Sequence, residues 1–248
     1  MGRHISPSAH IGENVSIGYN AVIAENVIIG DDCTIGHNVV IYDGSRIGRG
    51  VRIDDNVVIG KQPIRAANSI FKTGDVLPPA SIGDDCIVGT SAVVYAGANI
   101  GEGVLIADLA TVRENVSIGE HTIIGRGVAV ENYCTIGSYC KIETNAYITA
   151  YSNIGDRAFI GPGVVTTNDN FVGRTEERFK HFKGVTVKRG GRIAAHVTIL
   201  PGKVINEDSL VAAGSVVTKD VPAKKVVMGT PARETGDVPE EQLLERQK

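Results

Sequence analysis

The stretch IGENVSIGYNAVIAENVIIGDDCTIG, residues 11–36, carries an isoleucine at every sixth position. The same spacing of isoleucine or valine continues through most of the chain, in three blocks that begin at Ile5, Ile82 and Val187. A short fixed period over this length is typical of a solenoid, in which each repeat buries its apolar residue only against its neighbours. An amphipathic helix is excluded, because its apolar residues return every three or four positions.

Each six-residue unit has the composition of a short strand followed by a corner. Gly30 follows the aliphatic Ile29, and the small residue Cys33 stands four positions after it. The β-branched side chain suits a buried strand, whereas Gly and Asn tolerate the backbone angles of a tight corner. Three units that close a triangular coil predict an all-β parallel β-helix of about ten coils, stacked at the strand spacing of about 4.8 Å.

The six-residue pattern breaks twice, and both interruptions predict loops that leave the coil. The first covers about residues 61–81 and the second about residues 166–186. Both carry basic and aromatic side chains. Long loops on a compact scaffold usually carry function, so we expect a binding role, with trimer packing or coil capping as the alternative.

The last residues predict a separate element. Residues 1–236 are expected to form a single β-helix domain, and residues 237–248 a helical tail. In this tail Asp237 would cap the helix, Pro239 would stand in its first turn, and Leu243 would pack on the last coil.

Composition narrows the class of protein. A net charge of -3 gives no electrostatic reason to bind nucleic acid. No run of 18 apolar residues is present and the N-terminus enters the first coil directly, so we expect a cytoplasmic protein without a membrane span or signal peptide. The cysteines are expected to be reduced core residues rather than disulfide partners, metal ligands or nucleophiles, because all occupy the small corner position: Cys33, Cys86, Cys134 and Cys140.

With these repeats the chain resembles the hexapeptide-repeat acyltransferases. The resemblance covers most of the 248 residues. It implies that the β-helix is left-handed and that the protein acts as a homotrimer with sites between subunits. The handedness comes from the resemblance alone, because general connection rules favour a right-handed crossover.

The closing segments resemble those of the family's acetyl-CoA enzymes; they read ILPGKV at 199–204, VAAGSVVTKDVP at 211–222 and MGTPAR at 228–233. The resemblance implies acetyl-CoA as co-substrate, with its pantetheine arm in a groove along one edge of the prism. It assigns as cofactor contacts Ala195, Ala213, Lys219 and Arg233. Small residues let a thin ligand approach the backbone, and the two cations suit phosphate oxygens.

A second stretch, KIETNAYITAYSNIGDRAFIGPGVVTTN at 141–168, resembles the nucleotide-linked amino-sugar N-acetyltransferases. The match implies that Asn145 holds the sugar amine near the thioester and that Asn168 lies further along, at the cofactor. A neutral amine needs placement, a proton acceptor and stabilisation of the oxyanion. An Asn amide is too weak a base to accept the proton, so water, His121 or a carboxylate such as Asp108 stays open for that role.

Other functions compete with N-acetylation of an amino sugar. O-acyl transfer to a sugar requires a true base, and His121 is the candidate, although it also suits a solvated corner. Asp108 stands where the lipid A acyltransferases carry their catalytic His, and this difference counts against an enzyme that depends on acyl-carrier protein. Gln62 and Pro63, however, resemble the lipid A acyltransferases, so this alternative stays open. A non-enzymatic scaffold would not require the charged loops or the closing coils. A zinc site needs converging histidines; the six present are scattered, so no metal is expected.

Overall fold

The computed structural model describes residues 2–64, 66–67 and 76–247, and in these residues short strands alternate with turns. The first block contains β1 (His4–Ile5), β2 (His10–Ile11), β3 (Ser16–Ile17), β4 (Val22–Ile23), β5 (Ile28–Ile29), β6 (Thr34–Ile35), β7 (Val40–Ile41), β8 (Arg46–Ile47), β9 (Arg52–Ile53) and β10 (Val58–Lys61). The second contains β11 (Ser81–Ile82), β12 (Ile87–Val88), β13 (Val93–Tyr95), β14 (Asn99–Ile100), β15 (Leu105–Ile106), β16 (Thr111–Val112), β17 (Ser117–Ile118), β18 (Ile123–Ile124), β19 (Ala129–Val130), β20 (Thr135–Ile136), β21 (Lys141–Ile142), β22 (Tyr147–Ile148), β23 (Asn153–Ile154), β24 (Phe159–Ile160) and β25 (Val165–Thr166). The third contains β26 (Thr186–Val187), β27 (Arg192–Ile193), β28 (Thr198–Ile199), β29 (Val204–Ile205), β30 (Leu210–Val211), β31 (Val216–Val217), β32 (Lys225–Gly229) and β33 (Ala232–Asp237).

From β1 to β31 every third strand joins the same sheet, so the sheets form the three faces of a prism, and β32 and β33 then extend the third face beyond β30. Over the described residues, sheet A begins at β1 and has 11 strands, sheet B begins at β2 and has 10, and sheet C begins at β3 and has 12. From β1 to β32 the strands pair in parallel, with Ile23 opposite Ile41 and Ile41 opposite Ile59. The predicted all-β parallel β-helix is confirmed, with about 12 turns instead of about ten.

The core consists of the residues that the sequence pattern places inside. In β4–β31 the second residue of each strand is buried, and Ile23, Ile41 and Ile59 are fully buried. The small residue four positions later is buried as well, as Val27 shows. All four cysteines belong to this class and are free thiols. Burial raises the pKa of each thiol, to about 12 for Cys134.

Each turn has three corners, named here A–B, B–C and C–A after the sheets that they join. Asn20 and Asn38 occupy corners with φ of 56° and 55°, and Gly44 does so with φ of 68°. This left-handed backbone region favours Gly and Asn. The Asn38 amide also donates to Asn56 Oδ1 one turn away, at 3.1 Å. Backbone geometry therefore accounts for the Gly and Asn corners, whereas Leu109 and Tyr133 adopt the same region with φ of 61° and 59°.

Both excursions from the coil start at the A–B corner. The first joins β10 of sheet A to β11 of sheet B, and the second joins β25 of sheet A to β26 of sheet B. Gln62 closes the base of the first, since its Nε2 donates to the Leu77 carbonyl at 2.9 Å and its Oε1 accepts from the Leu77 N–H at 3.1 Å. Residues 65 and 68–75 of this predicted loop lie outside the described residues.

The C-terminal segment does not form the single helix that the sequence predicts. Asp237 ends β33, which pairs antiparallel with β32, and its carboxylate contacts Lys225 Nζ at 2.7 Å instead of capping a helix. Two 3-10 turns follow, at Glu240–Gln242 and Leu244–Arg246. So short a segment lacks the length that an independent helix needs. Leu243 is buried, as expected.

Among the residues that the structure describes, none of the helices has the length and apolar character needed to span a membrane.

The alternation of buried and exposed strand residues predicts a large effect on stability for one substitution and almost none for the adjacent one. Ile118 is 2% exposed and Ser117 is exposed on the same strand. We expect Ile118→Ala to lower the free energy of unfolding by about 2–5 kcal/mol, because it leaves a cavity. Ser117→Ala should change it by no more than about 0.5 kcal/mol. Urea unfolding followed by circular dichroism measures both, and equal values for the two variants would contradict the assignment of inward residues.

Candidate functional site

A column of polar and aromatic side chains follows the strands of sheet A at the A–B corner. Successive turns contribute one residue each: Lys61, Tyr95, Arg113, Glu131, Thr149 and Thr167. Lys61 Nζ lies 5.7 Å from the centre of the Tyr95 ring, and the Arg113 guanidinium lies 4.9 Å from the same centre on the other turn. The column begins where the first excursion leaves the coil and ends where the second does.

Arg113 links two carboxylates in the middle of this column. Its Nε lies 2.9 Å from Glu114 Oε2, and one of its terminal nitrogens lies 3.3 Å from Glu114 Oε1. The contact from Arg113 to Glu131 Oε2 is longer, at 3.4 Å. The Glu114 side chain is fully buried. A buried carboxylate is tolerated only with such pairing, because an isolated charge is costly to remove from water.

The ionisation of Glu131, in the same column, is perturbed by its surroundings. Burial raises the pKa of its carboxyl group, the Arg113 charge lowers it, and the Glu114 charge raises it further. The result is a pKa above the usual value. Beside it, Asn132 is 3% exposed, and no described residue accepts a hydrogen bond from its Nδ2. A titratable carboxyl with a raised pKa next to an unpaired buried donor is typical of a functional site.

Two adjoining cavities open at this corner, and together we call them the corner cleft. One has a volume of about 580 Å³ and extends from Tyr147 to Leu200 and Pro201. The other, of about 270 Å³, is lined by Glu131 and Asn132. The two share Tyr147, Thr149, Asn168 and Asp169 as lining residues.

Asp169 organises the second loop above the cleft. Its carboxylate accepts hydrogen bonds from the backbone N–H of Phe171 at 2.8 Å and of Gly173 at 2.9 Å. It also accepts one from Arg178 Nη1 at 3.2 Å. Although burial raises the pKa of Asp169, these bonds hold it below the usual value. Arg178 also lies over the rings of Phe179 and Phe182, at 4.9 and 5.8 Å from the ring centres, so one guanidinium contacts both the Asp169 carboxylate and these rings.

The predicted site residues fall on different edges of the prism. Asp108, Asn145, Ala195 and Ala213 lie at the C–A corner, where the Gly214 N–H donates to the Ala195 carbonyl at 2.9 Å. Asn145 is exposed and has the corner φ of 59°. Asp108 is exposed too, and its Oδ1 accepts from the Thr90 N–H at 2.9 Å.

The remaining predicted residues lie elsewhere. Asn168 lines the corner cleft, on the opposite edge of sheet A from Asn145. His121 is exposed at the B–C corner, with its ring centre 5.2 Å from that of Tyr139. Lys219 and Arg233 line one small cavity of about 190 Å³ near the end of the solenoid. A single chain therefore brings together Lys219 with Arg233 and Ala195 with Ala213, but not the whole predicted set.

Four further polar residues were not among the predicted site residues: Arg113, Glu114, Glu131 and Asn132. A signal for it exists, because Val112 and Val130 are inward aliphatic residues on neighbouring turns, and each is followed by a charged residue where Gly often stands. In the described residues, no group of three or more His, Cys, Asp or Glu side chains could hold a metal ion.

Comparison with known sequences gives matches to the repeat itself. The family model described as bacterial transferase hexapeptide (six repeats) matches residues 8–43, 26–61, 97–132 and 133–168, which together span about half of the chain. The model of the hexapeptide repeat of succinyl-transferase matches residues 79–107.

Two curated relatives match parts of the chain. The dTDP-3-amino-3,6-dideoxy-alpha-D-galactopyranose 3-N-acetyltransferase of Aneurinibacillus thermoaerophilus is 44% identical over 57 residues, which is 23% of this chain and 30% of the relative. The galactoside O-acetyltransferase of Escherichia coli (strain K12) is 34% identical over 82 residues, which is 32% of this chain and 40% of the relative. The match thus spans less than half the length of each relative.

Solved structures share the fold over most of the chain. The UDP-N-acetylglucosamine acyltransferase of Arabidopsis superposes with a TM-score of 0.56 at 19% identity, covering 95% of this chain and 72% of the other. That of Bacteroides fragilis 9343 gives a TM-score of 0.50 at 22% identity, with the same coverage. At these identities the likeness concerns the fold. On the repeats matched by the family model, the chain belongs to the hexapeptide-repeat acyltransferases.

Proposed function

We propose that the protein transfers an acetyl group from acetyl-CoA to the amine of an amino sugar, with a nucleotide-linked sugar as substrate. The observation that carries this proposal is the corner cleft, whose volume suits a small ligand. Three of its four shared lining residues, Thr149, Asn168 and Asp169, offer hydroxyl, amide and carboxylate groups to a polyhydroxylated molecule. The carboxylates of Glu131 and Asp169 favour an acceptor that carries an amine.

The cofactor is assigned to the C–A corner and the closing coils. Ala195 and Ala213 stack on neighbouring turns there, and small side chains permit close approach of the pantetheine arm. Lys219 and Arg233 would bind the phosphates. In this proposal Asn168 contacts the cofactor as well, and Asn145 orients the acceptor amine.

We place the complete site between subunits of a homotrimer. The C–A corner and the corner cleft lie on opposite edges of sheet A, so one chain cannot join them over a short ligand. In a three-fold assembly, the cofactor edge of one copy meets the corner cleft of the next. His121 and Asp108 stay in this proposal as candidate proton acceptors.

A second candidate is O-acetylation of a sugar hydroxyl. The relative from Escherichia coli is a galactoside O-acetyltransferase by name, and the partly buried Glu131 is a base of the kind that a hydroxyl acceptor requires. A panel of aminohexoses, free and dTDP- or UDP-linked, beside the same sugars with a hydroxyl in place of the amine, separates the two. Release of the coenzyme A thiol is the measurement. Turnover of amines alone supports N-acetylation, and turnover of alcohols alone supports the second candidate.

Binding of acetyl-CoA is the first expected outcome. Acetyl-CoA at 100 times its dissociation constant should stabilise the folded protein by about 2.7 kcal/mol, because it binds the native state only. A thermal-shift titration measures this effect, with adenosine as the control ligand. A melting temperature unchanged up to millimolar acetyl-CoA, together with no thiol release on any acceptor, would overturn the proposed function.

Lys219 and Arg233 provide a prediction for the cofactor phosphates. We expect Lys219→Ala and Arg233→Ala each to weaken acetyl-CoA binding by about tenfold or more, because each removes a hydrogen bond to a charged group. Isothermal titration calorimetry gives both dissociation constants. Lys141→Ala, an exposed cation on the outer face of sheet C, is the matched control and should bind as the wild type does. Affinity retained in both test variants would remove the closing coils from the cofactor site.

Asn145 provides a prediction for the acceptor amine. Asn145→Gly keeps the left-handed corner conformation and removes the amide, so it tests chemistry rather than backbone strain. We expect kcat to fall by about 10-fold to 100-fold, with acetyl-CoA affinity unchanged, because placement of the nucleophile is lost. Asn38→Gly occupies the same C–A corner with φ of 55° and serves as the control. Equal kcat in both variants would exclude Asn145 from the site.

A further inference from the structure

We propose that the Glu131 carboxylate is the proton acceptor of the acyl transfer and that Asn132 Nδ2 binds an oxygen of the acceptor substrate beside it. This inference rests on the proposed function and deepens it, since it assigns proton transfer and substrate binding in the corner cleft to specific atoms. Neither residue is one of the inward aliphatic or small corner residues whose packing builds the coil.

The position of the two residues is the first argument. Glu131 and Asn132 follow β19 directly, so both reach the same cavity, of about 270 Å³, which Thr149, Asn168 and Arg178 also line. Asn132 is 3% exposed, and its Nδ2 has no hydrogen-bond partner among the described residues. Buried donors are nearly always paired in folded proteins. An unpaired donor in a cavity wall therefore marks the place of a ligand oxygen, such as a sugar hydroxyl.

The contacts of Glu131 are the second argument. The shorter bonds of Arg113 go to Glu114, at 2.9 and 3.3 Å, and the contact with Glu131 is 3.4 Å long. Glu114 thus holds the Arg113 guanidinium in place, and the positive charge of Arg113 acts on Glu131 without a short hydrogen bond. The Glu131 side chain is 24% exposed, so it is accessible from the cleft yet largely removed from water.

The other candidates for the proton acceptor are placed less well. His121 is exposed at the B–C corner and lies against Tyr139, away from the corner cleft. Asp108 is exposed at the C–A corner and already accepts the Thr90 N–H. Neither lines the corner cleft, where Glu131 faces the pocket directly.

The charged and titratable groups around Glu131 come from three elements and a loop. Arg113 and Glu114 follow β16, Tyr147 belongs to β22, the Cys134 thiol is buried one corner away, and Asp169 and Arg178 belong to the second loop. Burial and Glu114 raise the pKa of Glu131, and Arg113 lowers it. A raised pKa brings a carboxylate closer to the pH of the reaction, which makes it a better proton acceptor.

The proposed step balances without any further reactant. The acceptor nitrogen attacks the thioester carbonyl carbon, so that a C–N bond forms and the C–S bond breaks. Glu131 takes the proton that the nitrogen loses and returns it to the departing sulfur. The products are the N-acetylated sugar and coenzyme A as the free thiol, with Glu131 again a carboxylate. A hydroxyl acceptor would follow the same course through a C–O bond.

Glu131→Gln tests the proton acceptor directly, in the full-length protein and with the best acceptor from the panel. It keeps the size of the side chain and removes its basicity. We expect kcat to fall by about 10²- to 10⁴-fold, while the thermal shift with acetyl-CoA stays as in the wild type. Glu131→Asp should recover part of the loss. A Glu131→Gln variant with kcat within about threefold of the wild type would overturn the inference and leave the proposed function standing.

The pH dependence separates a catalytic role from a structural one. In the wild type, kcat/KM should be lost as pH falls through the Glu131 pKa, and Glu131→Gln should lack this limb but keep the one due to the substrate amine. Arg113→Met should move the Glu131 limb to higher pH and Glu114→Gln to lower pH, because the two charges act in opposite directions. Because the substrate amine also loses reactivity as pH falls, the wild type should show two ionisations on the acidic side and Glu131→Gln only one. A Glu131→Gln profile that still shows both ionisations would assign the proton acceptor to another group. This measurement needs only the Glu131 variant if the Arg113 and Glu114 variants do not fold.

Asn132 is tested through the acceptor. Asn132→Ala should raise the KM of the acceptor about tenfold and leave acetyl-CoA affinity unchanged, since one hydrogen bond to substrate is lost. Asn99→Ala, an exposed amide on sheet B, is the control and should keep the wild-type KM. An unchanged KM in Asn132→Ala would overturn its assignment. A wild-type protein that neither binds acetyl-CoA nor acetylates any acceptor would overturn the transfer itself, which is a different result from inert Glu131 variants.

Discussion

Each turn of the solenoid buries its inward isoleucine or valine only against the turns directly above and below it. This dependence fixes the register, because a slip by one residue would turn the aliphatic side chains of a strand outward. It also fixes the corners, where a residue such as Asn38 must adopt a positive φ. What the core leaves free is the outer face of each strand and the length of the connection at each corner.

The molecule uses that freedom mainly at one corner. Both excursions leave between sheet A and sheet B, and the polar column from Lys61 to Thr167 runs between them. The rigid coil can support a pair such as Arg113 and Glu114, whose burial would be unfavourable without good pairing. The Asp169 carboxylate then fixes the second loop over the same place. Ion pairs and hydrogen bonds, and not only packing, therefore order the groups on both sides of the cleft.

The sequence predicted the scaffold well, because the scaffold depends on local chemistry repeated many times. Ile23 and Cys33 lie inside as their positions in the repeat require. The handedness of the coil could not be predicted in this way, because a periodic pattern of aliphatic residues is compatible with either hand. The C-terminal tail was predicted as one helix from its capping residues, yet Asp237 pairs with Lys225 at the end of a strand, and this depends on a partner distant from local signals.

The candidate site was less accessible to sequence reasoning. Asn168 lines the corner cleft, but Asn145 lies on the other edge of sheet A, a relation that only the winding of the chain reveals. Glu131 and Asn132 resembled ordinary polar corner residues. Their importance comes from burial and from an unpaired amide, and both are properties of the folded corner.

The shared origin of the two excursions has a consequence for how such a protein can change over evolution. From β10 to β25, sheet A advances by five strand spacings, or about 24 Å. Duplication or loss of one whole turn would alter this separation by a single step of about 4.8 Å and leave every inward residue in phase. The distance between the two loops can therefore change only in steps of one whole turn. Related proteins with more or fewer turns between the loops would accommodate longer or shorter ligands.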